Sequence, residues 1–162
     1  MTVNSRIQLL LASLLFVAVS LYDLWLWQPE RQVRLHQSHF QFAAENKKWS
    51  RFASFIDPRY SDRWGHDKTF VVRETSEVLR QFFALSIESG EWDCEVESNR
   101  ATVTTRLRLE GNGTAVAEFA KQAVNSLHQP FVFVWVRQSW KPWDWQLAHA
   151  DNAQLRMSDW RD

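Results

Sequence analysis

The first 27 residues carry an almost unbroken apolar run. From Ile7 to Tyr22 only Gln8, Ser13 and Ser20 interrupt it, and after Asp23 it resumes as Leu24-Trp25-Leu26-Trp27. As a helix, Ile7 to Trp27 would rise about 31 Å, close to the hydrocarbon thickness of a bilayer. Tyr22, Trp25 and Trp27 suit an interfacial aromatic belt, and Pro29 ends or kinks the segment. Residues 1–28 are therefore expected to form a single-pass transmembrane anchor. The competing reading is a cleaved signal peptide. Arg6 gives it a short positive start, and Ala18-Val19-Ser20 passes as a small-x-small cleavage site. The apolar pattern continues past that site through Trp27, which favours retention. Arg6 lies on one flank and Arg31, Arg34, Lys47 and Lys48 on the other, so basic residues do not decide the orientation. A short tail before a signal-like segment points to an extracytoplasmic location for the large domain.

Residues 30 to 56 read as one long helix, with Phe42, Trp49, Phe52 and Ile56 on a common face. Asp57-Pro58 stops it. Residues 59 to 65 form a short irregular or extended piece closed by Gly65. Asp67 is a plausible N-cap for a second helix whose stripe runs Val71, Thr75, Val78, Phe82, Leu85. Period-two alternation then takes over. Trp92, Cys94 and Val96 alternate with acids, Ser98-Asn99 makes a turn, and Ala101 to Glu110 alternate again. Gly111-Asn112-Gly113 is expected to break the chain before a helix at 114 to 127, with Val116, Ala120, Ala123 and Leu127 on one face. Phe131 to Val136 is apolar on both faces and should lie inside its sheet. After a turn at Lys141-Pro142, Trp143, Trp145, Leu147 and His149 alternate along a last strand. The polar tail, 153–162, is expected to fray. Helices first and a meander afterwards predict an α+β layer fold over 29–152.

Without its first segment the 162-residue chain leaves roughly 135 residues, enough for one core without metal or disulfides. Nineteen basic residues balance nineteen acidic ones, which is not the footprint of a nucleic-acid binder. Ten Trp and eleven Phe are a heavy aromatic load, suited to a dense core, a lined cavity or a sticky interface. The single cysteine, Cys94, cannot pair internally and reads as a small core residue.

Tyr60, Asp62, Trp64 and His66 are the densest set of functional side chains. In an extended piece Tyr60, Asp62 and Trp64 share a face, and a carboxylate beside an apolar pocket can do acid–base work. The plainer reading is a capped, hydrogen-bonded turn. His149 and Asp151 also share a strand face, as a base and its orienting carboxylate would. Arg106 and Arg137 could hold a carboxylate ligand if they point into a concavity, or pair across strands. Trp135 is a candidate pocket wall. His36 and His39 stand three apart with no further ligands near in sequence, so no metal or cofactor site is expected. Asn112-Gly113-Thr114 matches a glycosylation sequon.

The long first helix, the piece Asp57-Pro58-Arg59-Tyr60-Ser61-Asp62-Arg63-Trp64-Gly65, the next helix and a sheet ending in Trp145-Gln146-Leu147 resemble the nuclear transport factor 2-like superfamily. The resemblance covers residues 30 to 152. It implies a long helix packed in a curved antiparallel sheet, the cystatin-like cone, with a pocket beside the helix. Members include isomerases, hydrolases, dehydratases and non-catalytic binding domains. No subgroup motif is present, so no catalytic residue is carried over. The expected function is a membrane-anchored, non-catalytic binding or assembly domain. Its expected partners are the lipid bilayer and a membrane-protein partner or a second copy, as in an accessory subunit. The alternative is a small-molecule isomerase, dehydratase or hydrolase that uses Asp62 or His149, with Tyr60, Trp64, Trp135 and Arg137 at the ligand.

Overall fold

The computed structural model describes residues 3–155, without the side chains of residues 3–10, 23, 24 and 26. Five helices and four strands follow in the order α1 (Val3–Leu26), α2 (Pro29–Glu45), α3 (Trp49–Ser54), α4 (Lys68–Leu79), β1 (Phe82–Glu97), β2 (Arg100–Gly113), α5 (Ala115–Asn125), β3 (Phe131–Arg137) and β4 (Trp145–Asp151). The strands form one curved antiparallel sheet in sequence order. Helix α2 packs against the sheet, with Phe40 on Phe133 and Trp135, and α3 packs on α2 through Phe52.

The expected helix over 30 to 56 is two helices. Asn46 closes α2, and Lys47 turns into the left-handed region at φ 55°. The Lys47 N–H bonds the Ala44 carbonyl, and the Lys48 N–H bonds the Ala43 carbonyl at 2.8 Å. This double closure is a Schellman motif with lysine where glycine is usual. The break rotates the apolar stripe. Val33, Phe40, Ala43 and Ala44 are buried from α2, Phe52 and Ile56 from the next segment, and Phe42 is left exposed.

Asp67 does cap α4, accepting the Phe70 N–H at 2.8 Å. The helix nevertheless ends at Leu79. Phe82 and Leu85, expected on its stripe, belong to β1, which pairs with β2 from Phe82↔Gly113 onward. Gly111-Asn112-Gly113 likewise does not break the chain but completes β2. Gly111 takes φ 130°, and a Cβ there would collide with the Ala84 carbonyl. Glycine therefore lets two backbones approach at the end of a long hairpin.

Strand β3 lies inside the sheet, as its two apolar faces required. It pairs with β2 only as far as Thr105↔Phe131. Beyond that point α5 takes over the edge of β2. The Asn125 side chain accepts from Leu109 N–H at 2.8 Å and donates to the Leu109 carbonyl at 2.9 Å, imitating a strand backbone. Ala117 and Ala120 are the buried face of α5, whereas Val116, expected inside, is exposed.

The other edge, β4, is covered by the piece after α3. Leu147 N–H donates to the Phe55 carbonyl, Asp57 N–H to the Leu147 carbonyl, and Ser61 N–H to the Ala148 carbonyl. Trp143 precedes β4 instead of belonging to it. A register shift between Val134↔His149 and Trp135↔Leu147 gives β4 one extra residue, Ala148. The shift puts Ala150, and not His149, against the core.

Phe40, Phe52, Phe133 and Trp135 meet inside the cone. Phe40 stacks on Phe52 at 4.6 Å and meets Trp135 edge-on at 6.0 Å. The indole N–H of Trp135 donates to Gln37 Oε1 at 3.0 Å, so this buried polar pair is matched on that side. His36 packs edge-on against Phe55 and Trp135. Burial lowers its pKa, an effect partly opposed by hydrogen bonds to the Gln32 and Trp143 backbone.

Helix α1 stands apart from this body. Leu11, Leu14, Leu15, Phe16, Val17, Val19 and Leu21 are all exposed. Among the described residues no helix is long and apolar enough to cross a membrane. Part of the expected anchor, including the side chains of Asp23, Leu24 and Leu26, lies outside the described residues.

Candidate functional site

The piece 57–66 is built as two successive carboxylate-capped turns. Asp57 comes first. Its buried carboxylate accepts Arg59 N–H at 2.7 Å, Arg59 Nε at 3.4 Å and the Gln138 side-chain amide at 2.5 Å. Burial works to raise its pKa, but these donors outweigh burial and leave it below the ordinary carboxylate value.

Asp62 comes second. One oxygen accepts the N–H groups of Trp64 and His66, both at 2.9 Å, and the other meets His66 Nδ1 at 2.8 Å. The Gly65 N–H returns to the Asp62 carbonyl, with Gly65 at φ 80°. All of these bonds stay inside the turn, so Asp62 shapes the loop before it can serve a ligand. It also orients His66, whose ring stacks on Phe70 at 4.0 Å and 9°. His66 is thus the histidine held by a carboxylate, a role the sequence offered to His149. The signal was available: Asp and His four apart around a Trp-Gly turn.

Tyr60, Asp62 and Trp64 do come together. With Phe70, Val71, Glu74, Phe131, Asp151 and Asn152 they line a cleft of about 170 Å³ between α4 and the ends of β3 and β4. Burial pushes the Tyr60 phenol well above its usual range, and the neighbouring Asp62 charge adds to this. Asp151 faces the same cleft, with Arg63 Nη1 3.4 Å from its carboxylate.

The remaining candidates lie elsewhere. His149 Nδ1 sits 2.6 Å from the Ser61 carbonyl, a bond that ties β4 to the covering segment, and it does not pair with Asp151. Trp135 is fully buried in the core and does not line the cleft. Arg137 leans over Trp145, 5.7 Å from the ring centroid, at the opposite end of β3. Arg106 lines a different, open groove of about 520 Å³ with Glu88, Arg108, Asn125 and His128. Burial pushes the Cys94 thiol up to about 11, so it packs as an inert neutral group. Among the described residues no cluster of His, Cys, Asp and Glu could hold a metal.

Sequence reasoning passed over Asn152. It is buried, its amide donates to the Gln129 and Pro130 carbonyls, and its oxygen accepts Gln154 and Leu155 N–H. It therefore closes one wall of the cleft and pins residues 153–155, which were expected to fray.

No protein-family model matches the sequence, and no curated protein sequence matches it. Solved structures do. A nuclear transport factor 2-like protein of unknown function from Pseudomonas putida matches with TM-score 0.57 at 11% identity, over 80% of this chain and 89% of that one. A candidate dehydratase of the same family from Streptomyces avermitilis matches with TM-score 0.54 at 17% identity, over 75% and 91%. Bdellovibrio bacteriovorus Bd1075 matches with TM-score 0.57 at 8% identity, over 75% of this chain but only 40% of that longer one. This is a nuclear transport factor 2-like fold. At these identities the nuclear transport factor 2-like likeness speaks for architecture and leaves chemistry to the site.

Proposed function

We propose that this chain is a single-pass membrane protein whose nuclear transport factor 2-like domain binds a protein partner and is not catalytic, as an accessory subunit does. The observation that carries this reading is the filled cone. Phe40, Phe52, Phe133 and Trp135 occupy the space where a ligand would enter. The cleft beside Tyr60 and Asp62, at about 170 Å³, is smaller than the roughly 300–1,000 Å³ of ordinary ligand pockets. Helix α1 supports the tether, because its described apolar side chains, Leu11, Leu14, Leu15, Phe16, Val17, Val19 and Leu21, are exposed, and so large an apolar surface has no stable place in water. Phe83, Val116 and Phe119 supply exposed apolar surface on the domain itself.

A second reading, a small-molecule isomerase, dehydratase or hydrolase, draws on the Asp62–His66 pair beside the cleft. Its difficulty is that the Asp62 bonds are all internal to the loop.

Membranes holding the full chain are washed with alkaline carbonate, solubilised in detergent and purified by a tag on the chain. The proposal expects retention through the wash and a stoichiometric partner protein, lost in Phe119→Glu. A clean monomer, or release by the wash, would overturn it.

A further inference from the structure

The β3–β4 turn carries two large aromatic side chains that lie outside the core. Trp140 is 81% exposed, and Trp143 is also exposed. The turn itself is firmly built. Gln138 N–H donates to the Asp144 carbonyl, Asp144 N–H to the Lys141 carbonyl, and the Trp145 indole to the Pro142 carbonyl at 2.8 Å. Its rigidity presents the two indoles instead of letting them fold back. Its position is fixed too. Trp143 meets Trp27 edge-on, with ring centroids 6.5 Å apart, and Trp27 is the first residue past α1. Arg31 lies over Trp25, 3.0 Å from the ring centroid. Two exposed cations frame the turn. Lys141 lies within it, and Arg59, 80% exposed in its side chain, reaches Gln138 at 3.4 Å.

The geometry points to a foot: Trp140 and Trp143, with Lys141 and Arg59, lie in the headgroup layer of the bilayer that holds α1. This rests on the membrane reading above and adds an orientation to it. Tryptophan favours that layer because its ring is apolar and its N–H is wet, and lysine and arginine favour lipid phosphates. The depth agrees. A residue one step beyond the end of a spanning helix sits at the membrane surface, and Trp143 touches that residue. The domain would then stand on the membrane by its 138–144 end. Helix α5 would face away, because Arg137 N–H bonds the Asn99 carbonyl at the foot end while β2 runs from there to Gly113 beside α5.

The test uses the full chain in vesicles of phosphatidylcholine and phosphatidylglycerol. Cys94→Ala removes the native thiol. Trp140→Cys or, as a control on α5, Gln122→Cys carries a nitroxide. Collision with oxygen, which concentrates in lipid, is compared with collision with a water-soluble nickel chelate. The expected result is an oxygen-to-nickel ratio several-fold higher at position 140 than at 122, in vesicles that keep the protein through a carbonate wash. Equal ratios in such vesicles would overturn the foot while leaving the anchor standing. Loss of the protein in the wash would overturn the anchor and the foot together.

Discussion

The inner and outer aromatic residues make an instructive comparison. Trp135 and Trp145 are fully enclosed, and each indole N–H has an acceptor. Trp140 and Trp143, a few residues away along the chain, are open to the surroundings. All four lie between Phe131 and His149, and nothing in residue type separates them. Strand alternation does: positions 135 and 145 point into the cone, whereas 140 and 143 belong to the turn between the strands, where only Pro142 is buried. The first pair holds the domain together, and the second lies outside the core, with Trp143 against Trp27.

The sharpest way to break this comparison is to truncate one residue of each kind. Trp135→Ala should cost about 3–5 kcal/mol in chemical denaturation, because it opens a cavity and strips the Gln37 carbonyl of its donor. A loss below about 1 kcal/mol would mean that the cone is looser than described. Next in size is the α5 clamp. Asn125→Ala leaves the Leu109 N–H and carbonyl without protein partners and should cost about 1–2 kcal/mol, with faster hydrogen exchange at Leu109. Lys47 gives a comparable but cleaner pair. Lys47→Gly and Lys47→Ala both lose the ammonium bond to the Phe82 carbonyl, yet only glycine relieves φ 55°. The glycine variant should be the more stable by about 1 kcal/mol in thermal unfolding. Smallest of all, Trp140→Ser should shift stability by less than about 0.5 kcal/mol. A larger loss would assign Trp140 to the inner group.

Much of this architecture was legible in the chain. The hairpin turn at Ser98-Asn99, the Asp67 cap, the interior strand at 131–136 and the α5 insertion each follow from a local signal. One failure arises because apolar spacing is ambiguous where two elements meet. Phe82 and Leu85 continue the α4 spacing, but Leu85 and Ile87 also alternate, and pairing with β2 decided in favour of the strand. Phe42 shares the spacing of Trp49, Phe52 and Ile56 only in an unbroken helix, and the Lys47 closure that breaks it, carried by a non-glycine residue, leaves no sequence mark. In the candidate site, Tyr60, Asp62 and Trp64 line one cleft, but two successive turns bring them there and not the extended face that their spacing suggested. The exile of His149 was not readable either, because it depends on one extra residue in β4 that only the pairing with β3 reveals.

The stapling of β4 to the stretch between Phe55 and Ser61 has a consequence for biosynthesis. The bonds from Leu147 and Ala148 join nearly opposite ends of the domain, so the first half of the nascent chain has no completed sheet to close upon. The domain can reach its final form only after β4 clears the ribosome. Until then Ile56 and its neighbours remain open to chaperones.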